Sequence, residues 1–157
     1  MVDDLGGDHF LEQAALGFQA FFIAMSAGIG LGAAMGALVG NGAVPVVGPD
    51  GTIYCSSEEH GVIIVGPDGT FVLNADSGLP QNLVPALHLA SDGTLYLSVS
   101  RHGIWTYRRE TLAPLTDDSR LRSDNVISIL EGHDGTLYFG TENSGVRLYR
   151  DGIFDTI

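Results

Sequence analysis

Two hydrophobic patterns divide the chain. From Gln13 to Pro49 no residue is charged, and residues 14–40 are almost continuously apolar. As a helix those 27 residues would reach about 40 Å, enough to cross a bilayer with tilt. A transmembrane helix is therefore expected over 14–40, after an acidic tail over 1–13 that carries Asp3, Asp4, Asp8 and Glu12. A secretory signal peptide fits less well, because no basic residue precedes the run and the run is longer than usual. A buried soluble helix seldom reaches this length without one charge. Gly28, Gly32, Gly36 and Gly40 recur every fourth residue, with Ala24 and Ala20 in the same register. That spacing gives one nearly smooth helix face on which another backbone can pack closely. Glycine otherwise weakens a helix, so the ladder is expected to be a packing interface.

After Asn41-Gly42 the period changes from that of a helix to that of short strands. Asp-Gly-Thr stands at 50–52, 92–94 and 134–136, a repeat of 42 residues taken twice. The residues that follow align: Ile53-Tyr54-Cys55, Leu95-Tyr96-Leu97 and Leu137-Tyr138-Phe139, then Gly61, Gly103 and Gly145. Upstream, Leu79-Pro-Gln-Asn-Leu-Val84 precedes Leu121-Arg-Ser-Asp-Asn-Val126 by the same interval. In the third copy Val126–Leu130 is β-branched and apolar, hence an inner strand. Asp134-Gly135 supplies the positive φ of a tight turn, and Thr136–Thr141 the second strand. Val146–Tyr149 alternates apolar and polar side chains, and Asp151-Gly152 turns into Ile153–Ile157. Four strands per repeat of this length are the signature of a propeller blade. The expected fold is mainly β: three four-stranded propeller-type blades, about 43–83, 84–125 and 126–157, after one N-terminal transmembrane α-helix. Three blades fall short of the four to eight of a closed ring: either the chain is a fragment, or copies assemble, or the open edge meets a partner, and assembly or docking is the expectation.

These residues resemble the two-component regulator propeller repeat, whose pattern is roughly Leu-Pro-Ser-Asn-x-Val, an apolar strand, Asp-x-x-Gly-x-Leu-Trp-x-Gly-Thr, then Gly-Leu-x-x-Tyr. In the third copy Leu121, Ser123, Val126, Asp134, Leu137, Gly140, Thr141, Gly145 and Tyr149 match. The family's Trp is Tyr54, Tyr96 and Tyr138 here, the Gly-Thr pair is kept only in the third copy, and Val65 replaces the closing Tyr in the first. The resemblance implies an extracytoplasmic, periplasmic sensor or binding module.

Composition narrows the partners. Nineteen acidic residues against seven Arg give a formal charge of -12, which disfavours nucleic acid and anionic lipid surfaces. One cysteine rules out an internal disulfide framework. Cys55 aligns with Leu97 and Phe139 and reads as a core thiol, while His60 and His102 precede turn glycines and read as turn residues. His88, on an inner strand, faces either the core or a channel. Asp50, Asp92 and Asp134 recur with the turns and read as turn formers. Arg101, Trp105, Arg108 and Arg109 make the one basic, aromatic spot and are a candidate partner surface. No catalytic, cofactor-binding or metal-binding set stands out. The leading expectation is a non-catalytic, membrane-anchored accessory subunit. Its glycine face would pack against other membrane subunits or a second copy of itself, and its blades would dock on a larger complex. The alternatives are the ligand-sensing input module of a two-component-type sensor and a fragment of a propeller lyase or hydrolase.

Overall fold

The computed structural model describes residues 45–57, 61–67, 69–117 and 119–157. The expected transmembrane helix and its glycine ladder, Gly28, Gly32, Gly36 and Gly40, lie outside the described residues. Among the described residues no helix is long and apolar enough to cross a membrane.

Among the described residues twelve strands form three separate four-stranded antiparallel sheets, each in sequential order. The first holds β1 (Pro45–Val47), β2 (Ile53–Ser57), β3 (Gly61–Gly66) and β4 (Gly69–Leu73). The second holds β5 (Ala86–Leu89), β6 (Leu95–Val99), β7 (Gly103–Arg108) and β8 (Thr111–Pro114). The third holds β9 (Val126–Glu131), β10 (Leu137–Thr141), β11 (Val146–Arg150) and β12 (Ile153–Thr156). Each sheet is one blade of the repeat. A 3-10 turn (Ala75–Ser77) follows the first blade and a short helix, α1 (Ser119–Ser123), follows the second.

The Asp-Gly-Thr turns explain why the repeat folds alike three times. Asp50 Oδ1 accepts the Thr52 N–H at 3.0 Å, Asp92 Oδ1 that of Thr94 at 2.9 Å, and Asp134 Oδ1 that of Thr136 at 3.1 Å. Each carboxylate closes the turn that its backbone begins, which is the local chemistry that makes Asp a turn former. Gly51, Gly93 and Gly135 take φ of +83°, +83° and +78°, a region side chains rarely enter. Gly61, opening β3, is more tightly held: a Cβ there would lie 2.1 Å from the Leu73 carbonyl oxygen.

Among the described residues two apolar cores lie between the blades. Val62, Ile64 and Leu73 of the first blade pack with Leu79, Val84, Leu87, Leu95, Leu97 and Val99. Ile104 of the second packs with Leu121, Val126, Leu137 and Phe139. Leu79 and Leu121, and Val84 and Val126, are repeat equivalents that plug each linker into its seam. The blade face turned to the next blade is called leading here, and the opposite face trailing.

Candidate functional site

The turns between second and third strands and the linkers between blades share one end of the sheets. Backbone pairing binds them together in the same way twice: Ser100 N–H donates to the Leu83 carbonyl and Glu142 N–H to that of Asn125, both at 3.1 Å. Side chains then extend the junction. Asn125 Nδ2 donates to Glu142 Oε2 at 2.9 Å, and the Ser100 hydroxyl to Asn125 Oδ1 at 3.4 Å. The Ser100 carbonyl accepts from Gln81 Nε2 and from His102 Nδ1. Arg101 and Asn125 both adopt left-handed backbone, φ +60° and +44°, unusual for residues with side chains. Strained conformations of this kind concentrate where side chains are aimed for a purpose.

Beneath this rim sits an ion pair. Arg147 on β11 reaches Asp124 Oδ2 at 2.7 Å through Nε and at 2.6 Å through Nη2. Ser144 Oγ donates to Asp124 Oδ1 at 2.8 Å, so both carboxylate oxygens are engaged. Only 9% of the Asp124 side chain and 16% of the Arg147 side chain remain exposed. The pair fixes the linker to the third blade and so fixes the position of Asn125, its neighbour.

At the other end of the inner strands, Glu131 on β9 crosses from the third blade to the second. It accepts the Ser91 N–H at 2.9 Å and the Ser91 hydroxyl at 3.0 Å, and lies 3.6 Å from His88 Nε2. The Ser91 N–H, the Ser91 hydroxyl and His88 together hold the Glu131 carboxyl below the usual glutamate range. His88 Nε2 is buried and makes no hydrogen bond. The serine hydroxyl donates to the carboxylate and not to the imidazole, so no serine–imidazole hydrogen bond forms here. Among the described residues no group of three or more His, Cys, Asp or Glu is arranged to hold a metal ion.

The basic, aromatic residues singled out in the sequence do not form one patch. Arg101 precedes β7 and Arg109 follows it, so a six-residue strand of about 20 Å separates them. Arg108 pairs with Asp92 at 3.1 Å, and the same pairing recurs between Arg150 and Asp134 at 2.8 Å. Trp105 is half-buried against the core between the first and second blades, and its indole N–H has no acceptor. Cys55 is fully buried, and burial pushes its thiol up to about 12. His102 and His133 are exposed turn residues, and His60 lies outside the described residues. Sequence reasoning passed over Asn125, Glu142, Asp124 and Arg147; only the shared offset of 17 residues in Ser100–Leu83 and Glu142–Asn125 hinted at the rim.

Comparison with curated proteins finds no match. Among solved structures, two similar chains are named as extracellular domains from B. thetaiotaomicron. One, of the hybrid two component system BT3049, is 15% identical with a TM-score of 0.59, over 71% of this chain and 16% of that one. The other, of the one component system BT4673, is 15% identical with a TM-score of 0.61, over 72% and 17%. Virginiamycin B lyase from Staphylococcus aureus is 18% identical with a TM-score of 0.56, over 73% and 40%. At these identities the likeness is one of fold, and this chain spans well under half the length of each. The family model described as two component regulator propeller matches residues 120–143, the stretch that holds α1, β9, the Asp134 turn and β10. That match falls on the third copy, and the same 42-residue unit stands in the two before it, so the third blade is similar to the two-component regulator propeller repeat.

Proposed function

We propose that the blades form part of an extracytoplasmic recognition module of the sensor type, without catalysis of its own, held to the membrane by the apolar segment over 14–40. The observation that carries this reading is the rim of Ser100, Asn125 and Glu142 over the seam between the second and third blades. It offers amide, hydroxyl and carboxylate groups on a rigid sheet scaffold, a composition suited to hydrogen-bonding a polar ligand. The family match and the extracellular domains of similar fold support placing it outside the cytoplasm. The His88–Glu131–Ser91 arrangement, with its carboxylate in the middle, favours binding over hydrolysis.

Alkaline phosphatase fused after Ile157 tests the placement, because that enzyme matures only after export. An active fusion, with an inactive one when residues 14–40 are deleted, is the expected outcome. An inactive fusion of the intact chain overturns it.

The glycine ladder favours a second reading, an accessory subunit whose Gly28, Gly32, Gly36 and Gly40 pack against other membrane subunits. Under it, replacing Gly32 and Gly36 by Leu abolishes copurification of partners in mild detergent while membrane association persists. Under the sensor reading with a passive anchor, both replacements are silent.

A further inference from the structure

The geometry points to an oxyanion subsite beside the rim, formed by Arg101 and Arg122, which takes the carboxylate or sulfate end of a polar ligand. The inference rests on the reading of the rim as a recognition surface, and it gives that ligand a charge and a direction.

Arginine is scarce in this chain, with seven residues against nineteen acidic ones. Three serve the fold: Arg108, Arg147 and Arg150 pair with Asp92, Asp124 and Asp134. Trp105 packs on the trailing face of the second blade, and Arg109 stands at the end of β7 away from the rim. Arg101 instead has a neighbour that lies far along the chain. A Cβ on Gly103 would meet Arg122 Cγ at 3.6 Å. The Arg122 stem, carried by α1, therefore lies on the first residue of β7, two residues from Arg101. Both arginines are exposed. Among the described residues no carboxylate pairs with Arg101. Arg122 reaches Asp117 only at 3.7 Å, and that carboxylate is 97% exposed, so an incoming oxyanion displaces a contact of little worth.

The turn that carries Arg101 is fixed. His102 donates its N–H to the Val99 carbonyl and its Nδ1–H to the Ser100 carbonyl, both at 2.9 Å. Ser100 belongs to the rim, so Arg101 adjoins it directly. The blade does not need this charge to fold. Glu59 and Asn143 are the repeat equivalents of Arg101, and Pro80 is that of Arg122. The two cations thus coincide only at the junction that carries the rim. Glu142 supplies the opposite sign from the third blade, where it accepts from Asn125. A ligand across the rim therefore lies with its oxyanion toward Arg101 and Arg122 and its hydroxyl donors toward Glu142. Guanidinium suits this role because its paired N–H groups match an oxyanion geometrically.

Gluconate, a polyhydroxylated carboxylate, and sorbitol, its uncharged counterpart, are the probes, with inorganic sulfate as a second anion. Calorimetry on the full chain in mild detergent, at fixed ionic strength, should give gluconate an affinity about 10-fold or more above that of sorbitol. Sulfate that competes with gluconate marks a site for either oxyanion; sulfate that does not marks a carboxylate site. Arg101→Gln with Arg122→Gln should remove the advantage of gluconate, and Arg109→Gln should leave it. Phenylglyoxal, which modifies arginine, gives a second readout: gluconate should shield Arg101 and Arg122 while exposed Arg109 still reacts. Asn125→Ala separates this inference from the rim reading. Equal binding of gluconate and sorbitol that Asn125→Ala weakens keeps the rim and overturns the subsite. A gluconate preference that needs both arginines and ignores Asn125→Ala keeps the subsite and overturns the rim. No gluconate binding, a preference that survives the double Gln variant, or equal shielding of Arg109 overturns the proposal.

Discussion

The seam between the first and second blades and the seam between the second and third both hold an apolar core, and they differ in chemistry at the inner strands and the linker. In the first, Val46 and Leu89 meet on the inner strands, and Leu95, Leu97 and Val99 lie behind them in a continuous apolar core. In the second, His88 and Glu131 replace that apolar pair, and the Asp124–Arg147 ion pair ties the linker to the blade it enters. Apolar burial is nondirectional, so the first seam tolerates small shifts and answers mainly to volume. The polar seam fixes geometry, because a carboxylate with all its partners in place rewards one arrangement and penalises its neighbours. The candidate rim sits on the polar seam. A recognition surface benefits from that placement, since a rigid junction holds Asn125 and Glu142 where they are aimed.

Volume should dominate at the apolar seam. Leu97→Ala, at a fully buried position, is expected to cost about 2–5 kcal/mol from lost transfer energy and the cavity left behind. Denaturant unfolding reads this directly. A cost below about 1 kcal/mol would mean that the two blades are not packed through Leu97. Charge should dominate at the polar seam. Asp124→Ala leaves the Arg147 guanidinium largely buried and unpaired, and about 3 kcal/mol is expected. Replacing both, by Asp124→Leu with Arg147→Met, should recover most of that loss. Additive losses in this double-mutant cycle would show that the two residues act separately.

Acid sharpens the contrast. The Glu131 carboxyl is held below its ordinary value, so its contribution is complete above about pH 4.3 and is lost as pH falls through the lower, folded value. Glu131→Gln should therefore cost about 0.5–1 kcal/mol near neutrality and nothing in strong acid, a difference that melting curves across pH would reveal. Val46→Ala should cost the same at every pH, and a pH-dependent cost there would break the distinction between the seams. The smallest effects are expected at the surface. Arg108→Gln and Arg150→Gln break exposed pairs with Asp92 and Asp134 and should each change stability by less than about 0.5 kcal/mol.

Much of this fold was readable because the repeat acts locally. The Asp-Gly-Thr turns close within three residues, and each hairpin pairs neighbours in the chain, so the strands and turns followed from spacing alone. The rim and the ion pair were not readable. Arg147 finds Asp124 across 23 residues, and Ser91 finds Glu131 across 40. The basic spot failed as a cluster for the converse reason: residues 101–109 are close in the chain, but β7 holds its ends apart.

The sequence by itself determined the blade. Its 42-residue period, its turn carboxylates and its positive-φ glycines each act over a few residues and need no knowledge of the rest of the molecule. It also set the chemistry of each seam, since Leu89 and Glu131 occupy equivalent positions in successive copies. Tertiary structure alone decided which seam carries the rim and where the Asp124–Arg147 pair forms. Those depend on sheets meeting across space, where a side chain's neighbour is chosen by the stacking of blades and not by its place in the chain.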